Sequence, residues 1–170
     1  SEKSTGFNPM SYHNGSVWPH DNSLCLIGMS RMGFIEQALK AAQGLMQAAE
    51  HFEYARLPEL FCGYPDSIGR PVPYPVACSP QAWAAGTPLV FLQVFLGLDP
   101  EAPEGVIHLR PALPEGMNRL SVRRLRIGSG TLSLTVTRRE GSAVPEVTVE
   151  HNSTGCELRV LHAIHQDVQN

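Results

Sequence analysis

The run Tyr12-His13-Asn14-Gly15-Ser16-Val17-Trp18-Pro19-His20-Asp21-Asn22 crowds two aromatics, two histidines, two asparagines and an aspartate into eleven residues. Farther along, Leu57-Pro58-Glu59-Leu60-Phe61 sets a single carboxylate between a proline and apolar neighbours. This mixture suits a sugar. Pyranose rings stack on aromatic faces, and their hydroxyls need paired donors and acceptors. A carboxylate in a partly apolar rim can work as an acid or base near neutral pH. Each residue also has a plainer reading. Glu59 could cap a short turn after Pro58. Trp18 and Trp83 could fill a core, and for Trp83, inside a helix, that is the favoured reading. His13 and His20 suit sugar hydroxyls or local turn structure equally well, and Asp21 reads as a helix N-cap.

Helices must position these groups. Residues 1–11 are polar and turn-rich and are expected to be mobile. From about Asp21 to Met32, Leu24, Cys25, Leu26, Ile27, Met29 and Met32 make a helix apolar nearly all round, as if buried on several sides, with Gly33 as its stop. From Phe34 to about Tyr54 the apolar positions repeat at helical spacing, with Glu36, Lys40, Gln43 and Glu50 on a wet face. Residues 55–79 are proline-rich and aperiodic, yet hold Phe61, Tyr64 and Tyr74, so a functional loop is expected there. Ser79-Pro80 reads as the N-cap and first turn of a third helix that runs to Gly97 and bends at Pro88.

After Leu98-Asp99-Pro100 the period changes from helical to alternating. Leu120 and Val122 fall out of step with Leu125 and Ile127 unless a bulge at Arg123-Arg124 restores them to one face. Gly128-Ser129 makes a two-residue turn into Leu132, Leu134 and Val136. Val147/Val149 and Leu158/Val160 supply two more short strands. The fold class is therefore α+β: a helical segment over 1–98, then a small antiparallel β-sheet over 99–170.

The bulk numbers exclude several classes. At 170 residues with net charge -3, the charges are scattered and offer no basic groove for nucleic acid. No apolar run is long enough to span a membrane, and no export leader is visible. Cys25, Cys62, Cys78 and Cys156 lack regular spacing and read as free, mostly buried thiols of a cytoplasmic protein. The N-x-S/T matches at Asn14 and Asn152 have no meaning without secretion. His162-x-x-His165 lacks a third ligand, so neither metal nor cofactor is expected. Arg123-Arg124 and Arg138-Arg139 read as solvated strand charges.

The first tract, together with Leu57-Pro-Glu-Leu-Phe-Cys-Gly63 and Tyr74-Pro-Val-Ala-Cys-Ser-Pro-Gln-Ala-Trp83, resembles the amylo-α-1,6-glucosidase family of glycogen debranching-type glycoside hydrolases and their glucoamylase-like relatives. Ile107-His-Leu-Arg-Pro-Ala-Leu-Pro114 looks like the sheet segment that follows such catalytic domains. The resemblance implies an (α/α)6 toroid, of which three or four helices stand here. It also implies inverting hydrolysis of α-glucosidic bonds in an α-glucan or oligosaccharide. It places Glu59 as general base, with Tyr12, His13, Trp18, His20, Asn22, Gln81 and Trp83 on the substrate wall. The family's general acid lies upstream and has no counterpart here. The chain is thus expected to be the C-terminal portion of such an enzyme, incomplete alone. A homo-oligomer is also expected, because one neighbour cannot cover an all-round apolar helix. The alternatives are a non-catalytic glucan-binding module or a self-associating structural remnant.

Overall fold

The computed structural model describes residues 3–139, 141–142 and 144–161. It is α+β, with the α-helices and two short strands before residue 97 and the remaining strands after. Two compact units divide the chain, Ser1–Phe91 and Leu92–Asn170. His162 and His165 lie outside the described residues. No described helix is long and apolar enough to cross a membrane.

In the first unit, helix α1 (Pro19–Arg31) opens with proline at its first position, where a missing N–H costs nothing. It ends in a Schellman motif: Gly33, at φ 86°, donates to Ser30 O, and Phe34 donates to Met29 O. The expected stop is therefore present. The expected burial is not. Only Pro19, Ser23 and Leu26 are buried, while Leu24 and Met32 are exposed. Asp21 is not the N-cap. Trp18 holds that position without a side-chain bond, and Asp21 sits in the first turn near the positive end of the helix dipole.

Helix α2 (Ile35–Ala49) buries Ala38, Ala42, Leu45 and Ala48 and packs against α1, with Glu36, Lys40 and Glu50 in solvent. It ends earlier than its periodicity suggests: Phe52 is already extended, and the chain turns left-handed at Tyr54 and Ala55. The loop that follows carries two short paired strands, β1 (Phe61–Cys62) and β2 (Val72–Pro73). The third helix is two. Helix α3 (Ala82–Ala85) is capped by the Gln81 side chain, not by Ser79, whose bond to Pro80 is cis. Helix α4 (Thr87–Leu96) restarts beyond Gly86, since Pro88 has no N–H to continue the ladder. The division between the units falls inside α4.

In the second unit, β3 (Asp99–Glu101), β4 (Val106–Leu109) and β8 (Glu157–Val160) form one sheet. The β4–β8 pair is parallel, which corrects the expectation of a wholly antiparallel sheet. Alternation along a strand reports which face is buried and is silent on the partner's direction. A second, antiparallel sheet has the order β5 (Arg119–Ile127), β6 (Gly130–Thr137), β7 (Glu146–Asn152). Its register shifts between Val122 and Leu125, the bulge that the sequence demanded. Leu132, Leu134 and Val136 on the central strand are fully buried, each worth about 1.5–3 kcal/mol of transfer free energy.

Candidate functional site

Every residue singled out for sugar chemistry falls in the first unit. Main-chain bonds tie the segment before α1 to itself and to the loop after α2. Asn8 N–H donates to Asn14 O at 3.2 Å, and Gly63 N–H donates to Pro9 O at 3.0 Å. Val17 and Phe61 exchange two main-chain bonds, at 2.8 and 3.0 Å, and this brings the Tyr12 tract against the Glu59 tract. The approach is so close that a Cβ on Gly63 would overlap the Gly15 carbonyl oxygen. Only glycine permits it.

Glu59 sits at the centre of the contact, 8% exposed. Tyr12 Oη donates to its Oε1 at 2.6 Å, and Cys78 N–H donates to its Oε2 at 3.0 Å. Its own N–H donates to Cys78 O at 3.0 Å, so main chain and side chain together clamp the two segments. The Tyr12 hydroxyl is the main cause holding the Glu59 carboxyl below the usual range, followed by the Cys78 amide, and together they outweigh burial. Of the two roles open to a carboxylate in an apolar rim, this favours the base. Glu59 is a fixed anion at neutral pH. The same bond, with burial and the nearby charge, pushes the Tyr12 hydroxyl up to about 12.

Aromatic rings surround this pair. Tyr12 stands edge-on to Trp18 (centroids 4.7 Å), to His13 (4.8 Å) and to Tyr74 (5.6 Å). Trp18 Nε1–H donates to Tyr12 O at 2.9 Å, which fixes the indole. The structure thus brings together Tyr12, His13, Trp18 and Glu59. His20 belongs to a second pair, stacked on Trp83 with centroids 5.0 Å apart and planes 14° from parallel. Trp83 is 48% exposed, so it does not fill a core. Two other expected wall residues do local structural work. Asn22 Nδ2 donates to Trp18 O at 2.8 Å, and Gln81 Oε1 accepts from Ala82 N–H at 3.0 Å.

An open cleft of about 430 Å³ is lined by Ser4, Gly6, Phe7, His13, Asn14, Gly15 and Ser16. It shares only His13 with the aromatic cluster and does not include Glu59. The bonding geometry around the carboxylate is the firmer guide to chemistry, because that cleft presents mainly loop hydroxyls and amides.

Sequence reasoning missed Cys78 and gave Tyr74 no site role. Both lie in the second tract of the resemblance, but Cys78 acts chiefly through its main-chain N–H, which its side-chain type cannot announce, and less through its thiol. The four cysteines are free, with Cys25 and Cys78 exposed and only Cys62 fully buried. No group of three or more metal-ligating side chains occurs among the described residues. Neither a protein-family model nor a curated protein matches the chain.

Proposed function

We propose that the chain is the C-terminal portion of a glycogen debranching-type glycoside hydrolase, with its helices part of an (α/α)6 toroid and Glu59 as general base. One observation carries the reading beyond resemblance. A carboxylate kept ionised by a tyrosine hydroxyl stands inside an aromatic cluster drawn from both tracts that carry the resemblance. Inversion needs such a base to take a proton from water on one face of the sugar. A carboxylic acid roughly 6.5–9.5 Å away protonates the leaving oxygen. A carboxylate oxygen carries two lone pairs, so one on Glu59 can take that water beside the bond from Tyr12. The acid must come from a segment outside this chain.

A second reading is a glucan-binding module without catalysis. The exposed Trp83, backed by His20, favours it as a platform for a pyranose ring. Glu59→Gln separates the two. In the full-length protein, glucose release from an α-1,6-branched dextrin should fall on the order of 10²–10⁴-fold, the usual size of a lost general base. Retention on glycogen should persist. Release unchanged by the substitution would remove Glu59 from the mechanism.

A further inference from the structure

Strand β5 carries Arg119, Arg123, Arg124 and Arg126, all exposed. The bulge between Val122 and Leu125 leaves two residues where regular pairing leaves one, so Arg123 and Arg124 both fall on the outward side. Arg119 and Arg126 share that side, opposite Thr137 and Thr131 of β6. The four positions span roughly 20 Å of strand at about 3.3 Å per residue.

Two observations separate this row from ordinary surface charge. The first is compensation. Arg138 donates to the Leu113 and Pro114 carbonyls, Arg139 pairs with Glu146 at 2.7 Å, and Arg159 pairs with Glu157 at 2.8 Å. On the same sheet, Glu150 accepts from the Thr135 hydroxyl at 2.6 Å. Glu146 is thus paired with Arg139 and Glu150 is held by the Thr135 hydroxyl, and none of the four β5 arginines forms an ion pair among the described residues. The second is backbone strain. Arg124 holds φ 57°, a left-handed conformation that glycine adopts freely and arginine at a cost. Its N–H is fixed there by Ser133 Oγ at 2.9 Å. A position whose backbone favours glycine carries the longest cationic side chain, so the guanidinium itself is what the position uses.

We propose that this face binds a linear phosphate polymer, with the arginines as bidentate partners for its oxyanions. The occupant follows from the surface. Strands β5, β6 and β7 contain no Phe, Tyr or Trp, and the single ring of His151 cannot stack successive bases of single-stranded nucleic acid. An acidic peptide bears its carboxylates at fixed alternate positions, and the bulge puts the arginine row out of step with them. A flexible chain with an oxyanion on every unit needs no register.

Titration of the full chain with inorganic polyphosphate tests this. Binding is expected at low salt, with log K falling against log salt at a slope of about −3, as four contacts at ~0.7 counterions each require. Arg124→Gly should leave the melting temperature unchanged or higher, since it relieves the strained φ. It should still weaken binding roughly threefold, the scale of one exposed ion pair. The quadruple variant R119S/R123S/R124G/R126S should not bind. Absence of binding at low salt, full affinity in Arg124→Gly, or tighter binding of polyuridylate or polyglutamate than of polyphosphate would each overturn the assignment.

Discussion

Glu59 is held between opposed forces. Burial at 8% exposure raises a carboxyl's pKa, whereas hydrogen bonds from Tyr12 Oη and Cys78 N–H stabilise the anion and prevail. The pH dependence follows. With the folded value below the ordinary one, Glu59 contributes stability that is present above the normal glutamate range. That contribution is lost as pH falls through the lowered value. Tyr12 behaves in the opposite sense. Its folded value of about 12 exceeds the ordinary 10.0, so its contribution holds below pH 10 and is lost as pH rises toward 12. Tyr12→Phe removes the first-ranked cause of the Glu59 shift. The acid limb of a pH–activity profile should then move to higher pH, and the alkaline loss of stability should shrink. An acid limb unmoved by Tyr12→Phe would show that the titrating group is not Glu59.

At the scale of elements, the site depends on a close meeting of loops. Gly63 lies against the Gly15 carbonyl, and Val17 pairs with Phe61. Gly63→Ala should cost about 1–3 kcal/mol by overpacking, measured by chemical denaturation, and should disturb the Tyr12–Glu59 bond with it. In the other unit, Leu134→Ala empties a fully buried place on a central strand and should cost about 2–5 kcal/mol. Strand β6, the Arg123-Arg124 bulge and the Gly33 stop could all be read from the sequence, because each follows from local sterics or side-chain period, whereas the bend expected at Pro88 is a full break into two helices. The parallel β4–β8 pair could not be read there, since strand direction depends on the whole chain path. Nor could the start of α3. Gln81 caps it through its own side chain, while the cis bond at Ser79-Pro80 leaves the expected cap outside the helix. Glu59 and its aromatic neighbours were legible as residues. The sign of the carboxyl's tuning was not, because it is set by Tyr12, 47 residues away in sequence.

At the scale of the molecule, apolar surface stays in view. Leu24, Met32 and Phe34 are exposed along and just beyond α1, as are Val76 and Leu89. Exposure of this kind is consistent with the association that the sequence suggests, whether with a second copy or with further helices of a toroid. Light scattering should show mass rising with concentration, and Leu24→Ser with Met32→Ser should reduce it. A strict monomer over that range would argue against self-association.

The account stands or falls on whether the aromatic cluster beside Glu59 receives a sugar. Trp18 and Trp83 are the two tryptophans of the chain, one in the cluster beside Glu59 and one stacked on His20, so intrinsic fluorescence reports on both places where a sugar ring is proposed to sit. Titration with a short α-1,6-branched glucosyl oligosaccharide should change the emission saturably. Trp18→Phe should abolish most of the change, and Glu59→Gln should leave binding in place. Emission that stays flat across the titration would contradict the saccharide reading.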